Sequence, residues 1–251
     1  GGIKMNKNGK IYVVGIGPGK KGDMTFRAYE AMEKSDVIVG YKTYTDLVKE
    51  YYPNKEIVSS SMMKEVDRCT DVLKMAKDGK NVALISSGDA GVYGMAGIML
   101  EIADDKIEVE VIPGVTATNA AAAITGAPVM HDYVTISLSN LLTDWELIKK
   151  RLELAAQGDF VVSIYNPKSR GRVTQIEEAQ KIMLKYKPKT TPVAIVRNAG
   201  RENEEYVVTT LEEMTKHEID MLTIVIIGNS NTYVKNRKII TPRGYSKKYE
   251  Y

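Results

Sequence analysis

The sequence predicts an α/β protein with a mostly parallel sheet in a first domain and a mixed sheet in a second. Short apolar strands alternate regularly with helical patterns between residues 10 and 125. Such alternation is typical of a parallel sheet with helices on both faces. Segment 126–132 contains glycine and proline and interrupts the pattern. A strand at 205–209 then follows its predecessor without room for a helix, which indicates an antiparallel hairpin.

Length and composition are those of a globular protein without a membrane span. The 251 residues are 43% hydrophobic, and the net charge of +3 is too small to argue for nucleic-acid binding. The single cysteine, Cys69, excludes an intramolecular disulfide and fits a reducing cytoplasm. The first residues lack the apolar core of a secretion signal, and Met5 is a candidate natural start after a cloning remnant. We therefore expect a cytoplasmic protein that binds neither membrane nor nucleic acid.

In the first domain each element has a local signal. Pro53 ends one helix, and Val66, Leu73 and Ala76 form the apolar face of another. The last helix is so poor in side-chain bulk that a second helix or a ligand must approach it closely. The predicted strands are 10–14, 36–40, 56–58, 81–86 and 108–112; the predicted helices end at 34 or span 43–52, 63–78, 91–103 and 115–125.

The second domain repeats the order and then departs from it. One helix aligns Trp145, Ile148, Leu152 and Ala155, and the next aligns Ile176, Ala179 and Met183. The predicted strands are 133–139, 160–165, 191–197, 205–209 and 222–227, and the predicted helices are 144–156, 170–186 and 211–216. The basic, tyrosine-rich segment 235–251 is predicted to be largely solvated. The predicted domain limits are a flexible segment 1–9, a first domain 10–128, a second domain 129–245 and a tail 246–251.

The loop after the first strand, Gly17-Pro-Gly19-Lys-Lys-Gly22, matches the dinucleotide fingerprint G-x-G-x-x-G. That fingerprint needs a carboxylate at the end of the second strand, where this chain has Val39-Gly-Tyr-Lys42. Pro18 also removes a backbone donor. A P-loop would need a glycine in place of Val14 and a hydroxyl in place of Lys21. NAD and ATP are therefore disfavoured, which leaves a close-approach loop at a crevice or a plain tight turn.

A second loop follows the buried strand Val82–Ser86 and contains Asp89. This carboxylate is predicted either to cap a helix by accepting from amides near Val92 or to bind a ligand. The two histidines, His131 and His217, have no partner at metal-ligand spacing, so no metal site is expected. There is no G-x-S-x-G motif, and Cys69 has no neighbouring histidine in sequence. Hydrolase chemistry is therefore unsupported.

Four motifs together resemble the tetrapyrrole methylases, which transfer a methyl group from S-adenosylmethionine, and the similarity extends over about residues 10–243. They are Gly15-Ile-Gly-Pro-Gly19, Gly88-Asp89, Pro113-Gly-Val-Thr-Ala117 and Thr191-Pro-Val-Ala194. Segments 40–48, 86–95, 136–145 and 165–169 resemble members that methylate C17 of precorrin-3B or cobalt-factor III and contract the ring. Two positions depart from the family pattern: Ala90 replaces a proline, and Asn140 replaces an aspartate. An amide cannot act as a general base.

The resemblance implies the two-domain tetrapyrrole methylase fold with its active site between the domains. S-adenosylmethionine, converted to S-adenosylhomocysteine, would contact Gly88, Asp89, Val92, Thr116 and Ala117 in the first domain and Tyr165, Asn166, Asn198 and Ala199 in the second. The tetrapyrrole would contact Gly17, Pro18, Gly19, Ser139 and Asn140 and the cationic residues Lys20, Lys168, Arg170, Arg172 and Arg197. Arg170 and Arg172 are the preferred anion contacts, because they are predicted to open a helix.

Ring contraction also requires removal of a hydroxyl proton, for which Asp23, His131 and Asp132 are the candidates. The resemblance further implies a homodimer, with cobalt present only as part of the substrate. Three alternatives remain open: a tetrapyrrole methylase acting at another position (C11, C20 or the uroporphyrinogen type), the related diphthine-forming protein methylase, and a non-catalytic nucleotide-binding module.

Overall fold

The computed structural model describes residues 7–61 and 64–251. Contacts divide the chain into two units, Gly1–Ala117 and Thr118–Tyr251. Most of the predicted flexible segment 1–9, the candidate start Met5 and the first residue of the helix predicted at 63–78 lie outside the described residues. Within the described part, no helix is both long enough and apolar enough to cross a membrane.

The first unit contains five strands and four helices. The strands are β1 Ile11–Gly15, β2 Val37–Tyr41, β3 Glu56–Ser60, β4 Val82–Ser86 and β5 Val109–Ile112; the helices are α1 Phe26–Lys34, α2 Lys42–Val48, α3 Glu65–Lys77 and α4 Ala96–Ile102. The strands form one sheet in the order β3-β2-β4-β1-β5, with every pair parallel, as predicted. Alternate residues of β1 enter separate apolar clusters on the two faces of the sheet: Val13 packs with α3 and α4, and Val14 packs with α1.

Helix α5, Ala117–Thr125, begins at the last residue of the first unit. The elements that follow it are β6 Gly126–Ala127, β7 Tyr133–Ser137, α6 Trp145–Gln157, β8 Val161–Tyr165, α7 Gln175–Leu184, β9 Pro192–Arg197, β10 Glu205–Thr210, β11 Thr223–Ile227, β12 Tyr233–Lys235 and β13 Lys238–Ile240. The second unit contains a mixed sheet in the order β10-β9-β11-β8-β7. Strands β7 and β8 are parallel, β11 runs antiparallel to both β8 and β9, and β9 and β10 form the predicted hairpin.

The boundary between the two contact units lies between Ala117 and Thr118, after the first residue of α5, whereas the sequence predicts a domain limit between residues 128 and 129. The predicted linker contains β6, which pairs in parallel with β13. The segment predicted as solvated from 235 onward therefore supplies a strand, and Ile239 is fully buried. The basic and aromatic residues around Ile239 concealed this strand, because composition alone does not distinguish a short paired strand from a tail.

Several predicted helices differ from the observed ones. Val66 is 58% exposed, and Arg68, Cys69 and Val72 are buried on α3 instead. Helix α4 starts at Ala96 because residues 91–95 form turns. Helix α7 starts at Gln175 because Ser169 and Arg172 close a tight turn through two backbone hydrogen bonds of 3.1 and 3.2 Å. The helix predicted at 211–216 is reduced to a 3-10 turn, Met214–Lys216.

Candidate functional site

Three loops of the first unit meet at the carboxyl edge of its sheet, beyond the adjacent strands β4, β1 and β5. Gly17 N donates to Gly88 O at 3.0 Å, and Gly88 N donates to Gly17 O at 2.9 Å. The two glycines have φ values of +60° and +67°, a region that other residues rarely adopt. The β1 and β4 loops are therefore joined by their backbones. This edge is where open α/β sheets bind their ligands.

The β5 loop is packed just as closely. A Cβ atom on Gly15 would lie 2.8 Å from Gly88 O, and one on Gly114 would overlap the carbonyl oxygens of both Gly88 and Gly15. Gly22 is different, because a Cβ there would meet no atom within 4 Å. The third glycine of the apparent dinucleotide fingerprint thus makes none of the close helix–strand packing that the fingerprint requires. We call the joined loops, residues 15–19, 87–95 and 113–116, the glycine platform.

Asp89 ties two loops of the glycine platform together. Its Oδ2 accepts from Gly91 N at 2.8 Å and its Oδ1 from Gly114 N at 2.9 Å. The predicted role of this side chain as a helix N-cap is wrong, since α4 begins only at Ala96, although it does accept from an amide next to Val92, that of Gly91. A carboxylate has about four acceptor positions, so Asp89 retains capacity for a further donor.

The first unit brings its predicted donor contacts together. A Cβ on Gly88 would lie 3.5 Å from Thr116 Cα and 3.6 Å from Ala117 N. Val92 N donates to Asp89 O at 3.2 Å, and Val92 is half-buried. The five predicted donor contacts of the first unit, Gly88, Asp89, Val92, Thr116 and Ala117, therefore lie close together around the loop that follows β4.

The predicted substrate loop has a structural role as well. Gly17, Pro18 and Gly19 are buried, and a Cβ on Gly19 would lie 2.9 Å from Leu47 Cβ of α2. Lys20 is exposed, and its carbonyl accepts from Asp23 N at 3.1 Å. The two alternatives predicted for this segment, a tight turn and a close-approach loop at a crevice, are thus compatible with each other.

The second unit gathers another set of predicted residues. Strands β7, β8 and β9 run in the same direction, so their carboxyl ends share one edge. Ser137 Oγ accepts from Asn166 Nδ2 at 2.9 Å and from Ser139 N at 3.2 Å. Asn140 follows in an exposed position outside any helix or strand. The sequence reading missed Ser137, although the polar end of an apolar strand was an available signal.

Arg172 joins the same loops. Its Nη1 donates to Leu138 O at 3.2 Å and to Asn166 O at 2.9 Å, and partial burial lowers the pKa of the guanidinium. The predicted placement of Arg170 and Arg172 at a helix start is wrong, since both precede α7. Arg170 is exposed and Lys168 half-buried. Arg172 therefore braces the β7 and β8 loops.

Tyr165 is 8% exposed, and its hydroxyl oxygen accepts from Thr118 N at 3.1 Å in the first turn of α5. Thr118 Oγ1 also lies 2.6 Å from Ser163 Oγ, and both side chains are fully buried. A serine inside the apolar strand Val161–Tyr165 must find a partner, a signal that the sequence reading did not use. These contacts fix the start of α5 on the sheet of the second unit.

The β9 end carries Arg197, Asn198 and Ala199. Arg197 Nε donates to Asp220 Oδ2 at 2.7 Å, so its charge is compensated within the unit. Partial burial opposes ionisation of Asp220, but bonds from Leu222 N, Arg197 and Thr223 outweigh it and lower the pKa of Asp220. Asn198 N donates to Leu222 O at 3.0 Å. Because β11 separates β8 from β9, these residues lie about 10 Å from the β8 end.

Of the three predicted bases, Asp23 belongs to the first unit and His131 and Asp132 belong to the second. His131 and Asp132 precede β7 and so lie at the amino edge, whereas Ser139 follows the strand. Five strand residues at about 3.3 Å each separate the two edges by about 16 Å. His131 Nδ1 accepts from Asp132 N at 2.8 Å. Asp23 is exposed in the 3-10 turn after β1, beside the glycine platform.

Within the described residues, no three histidine, cysteine or acidic side chains gather as metal ligands would. Cys69 is fully buried, and burial raises the pKa of its thiol to about 11. The thiol is therefore protonated near neutral pH and is a poor nucleophile.

A model of the family described as Tetrapyrrole (Corrin/Porphyrin) Methylases matches residues 10–215. The chain belongs to this family.

Two relatives and one solved structure show which members of the family this chain is similar to. The chain is 53% identical over 248 residues to the cobalt-factor III methyltransferase of Priestia megaterium, covering 96% of this chain but 46% of that protein. It thus spans about half of that relative. It is 48% identical over 239 residues to a probable cobalt-factor III C(17)-methyltransferase of Salmonella typhimurium, covering 94% and 99% of the two chains. The crystal structure of the methyltransferase CobJ aligns with a TM-score of 0.89 and 33% identity, covering 93% and 100%.

Proposed function

We propose that this protein is an S-adenosylmethionine-dependent methyltransferase of cobalamin biosynthesis that methylates C17 of cobalt-factor III or precorrin-3B and contracts the ring. The observation that carries the proposal is the near end-to-end correspondence with the Salmonella typhimurium relative, at 48% identity. The resemblance of segments 40–48, 86–95, 136–145 and 165–169 to the C17 methylases points the same way.

The glycine platform fits the methyl donor. Its glycines keep side chains away from the backbone, and Asp89 retains acceptor positions for a hydroxyl or ammonium group. When bound, S-adenosylmethionine supplies a methyl group already activated by its sulfonium. We propose that the donor is held by Gly88, Asp89, Val92, Thr116 and Ala117 from the first unit and by Tyr165, Asn166, Asn198 and Ala199 from the second.

The chain's own contribution to methyl transfer is mainly positioning and exclusion of water. For the tetrapyrrole we retain Gly17, Pro18, Gly19, Ser139 and Asn140 as neutral contacts and Lys20, Lys168 and Arg170 as cationic ones. Arg172 and Arg197 are better described as braces, since each is already bonded within its loop. Cobalt would enter only as part of the substrate.

Ring contraction needs a proton acceptor, and we propose Asp23 ahead of His131 and Asp132. Asp23 lies in the loop after β1, beside the glycine platform, whereas the other two lie at the amino edge of β7. An Asp23→Asn variant should form the methylated product but contract it slowly. Methylation and contraction that both proceed at the wild-type rate would remove Asp23 from this role.

Anaerobic incubation with S-adenosylmethionine and either cobalt-factor III or precorrin-3B tests the activity. We expect the mass of one added methyl group, a carbon NMR signal at C17 and the absorbance change of ring contraction. Methylation at another carbon would favour a different position-specific methylase. Donor binding without methylation of any tetrapyrrole would favour the nucleotide-binding module.

We also propose a cytoplasmic homodimer. The unpaired Cys69 thiol fits a reducing compartment, and dimerisation is implied by the family resemblance. Light scattering coupled to size exclusion measures the assembly directly, and a monomeric mass at micromolar concentration would contradict the dimer.

A further inference from the structure

An arginine is buried beside the carboxyl edge of the first sheet. Arg68, in α3, is 5% exposed. Its Nε donates to Ser60 Oγ at 2.7 Å and its Nη2 to Ser61 O at 3.0 Å. Among the residues that the structure describes, the partner of its Nη1 is the Met95 sulfur at 4.0 Å, and a thioether is a weak acceptor. Within that part of the chain, one side of the guanidinium therefore has only a weak partner.

No carboxylate compensates this charge. Among residues 7–61 and 64–251, none of the ion pairs within 4.0 Å involves Arg68. The rest of the chain, 1–6 and 62–63, contains no aspartate or glutamate that could supply one. A buried charge without a counter-ion is costly, and a bound anion would remove that cost.

Arg68 lines a cavity of about 330 Å³, together with Ser60, Ser61 and Lys64. Asp67 and Asp71 also line it, but both are exposed. Solvent screens exposed charges far more than buried ones. The buried guanidinium is therefore the least screened charge of the cavity lining, which favours an anion beside it.

We propose that this cavity binds a carboxylate side chain of the tetrapyrrole, with Arg68 as the anchor that sets the orientation of the ring. This inference rests on the proposed function. The planar guanidinium matches a carboxylate in two parallel hydrogen bonds, and corrin precursors carry carboxylates around their rim. The cavity lies beyond β3, at the sheet edge that carries the glycine platform, and Met95 connects Arg68 to the β4 loop.

Two other roles would give Arg68 a different signature. The carboxylate could be the one on the amino-acid part of the methyl donor, in which case donor affinity would change. A purely structural link between β3 and α3 would change stability and leave both affinities intact. Substrate and donor titrations therefore have to be made on the same variants.

The test compares the wild type with Arg68→Gln, Arg68→Lys and Ser60→Ala, with Arg151→Gln as a matched removal of an exposed arginine. We expect Arg68→Gln to raise the KM for cobalt-factor III by about 10- to 100-fold, the loss of one charge-assisted contact. Arg68→Lys should recover part of this effect. Ser60→Ala should raise KM about threefold by loosening the guanidinium. The calorimetric Kd for S-adenosylmethionine should stay at its wild-type value.

An unchanged KM for cobalt-factor III in folded Arg68→Gln would overturn the inference. Weaker binding of S-adenosylmethionine by that variant, without a change in the substrate KM, would overturn it as well. Should Arg68→Gln fail to fold, Arg68→Lys and Ser60→Ala carry the same comparison. If the wild type methylates no tetrapyrrole, the proposed function fails by itself. Thermal stabilisation by added cobalt-factor III, in the wild type but much less in the Arg68 variants, then still tests the cavity.

Discussion

In the first unit, the loops after β1, β4 and β5 are joined mainly by backbone atoms, whereas the loops after β7 and β8 in the second are joined by side chains. Gly17 and Gly88 exchange backbone hydrogen bonds, and Gly15 and Gly114 leave no room for a Cβ. The second unit relies on Arg172, whose guanidinium bonds both of its loops. Loops that are joined by backbone atoms leave no room for an added side-chain atom. Loops that are joined by side chains can be weakened by removing single hydrogen bonds.

The largest expected effect is at Gly114. A Gly114→Ala change places a methyl group on two carbonyl oxygens, so we expect the free energy of unfolding to fall by about 3 kcal/mol. Urea titration measures it. Gly22→Ala is the matched control, since its Cβ would meet nothing within 4 Å. Equal stabilities for the two variants would contradict the backbone joint.

Asp89 is the exception in the first unit, because a side chain there bridges two loops. Asp89→Ala removes the acceptor of Gly91 N and of Gly114 N. We expect the free energy of unfolding, or the free energy of donor binding, to become less favourable by about 1–3 kcal/mol. Calorimetry with S-adenosylmethionine should show affinity weakened about tenfold or more in a folded protein. Asp105→Ala removes an exposed carboxylate and serves as the control. An unchanged Kd for Asp89→Ala would remove Asp89 from the donor site.

In the second unit we expect a single substitution to lower the stability by a smaller amount. Tyr165→Phe deletes the hydroxyl that accepts from Thr118 N, which leaves a first-turn amide of α5 without that acceptor. We expect about 1 kcal/mol lower stability, measured by urea titration. Tyr249→Phe alters an exposed hydroxyl and is the control. A variant as stable as the wild type would mean that another group satisfies this amide.

The sequence predicts both sheets because their signals are local. The apolar run Val82–Ile85 is buried on both faces, as expected for a central parallel strand, and the short interval before Glu205 requires a hairpin. The glycine loops were likewise identifiable from their spacing. These features depend on neighbours within a few residues.

Other features depend on contacts distant in sequence. The sequence predicts a helix from residue 170, but α7 begins at Gln175, and the Arg172 guanidinium is held by Leu138 O in the loop after β7. Val66 fits a helical apolar stripe, yet α3 turns Arg68 inward to meet Ser60. No local period contains that information. The weak contact between Arg68 Nη1 and the Met95 sulfur is visible only in three dimensions.

The smallest effect concerns the Arg197–Asp220 pair, a side-chain joint near the β9 end. The pKa of Asp220 is lowered in the folded state, so its contribution is present above the ordinary aspartate value of about 3.9 and is lost as pH falls below it. Asp220→Asn keeps an oxygen for Leu222 N but removes the charge. We expect it to cost about 1 kcal/mol or less at pH 7, and we expect this deficit to shrink as the pH falls below the ordinary aspartate pKa. A deficit that stayed constant with pH would assign the stabilisation to hydrogen bonding alone, and Asp220 would then act in the same way as Tyr165.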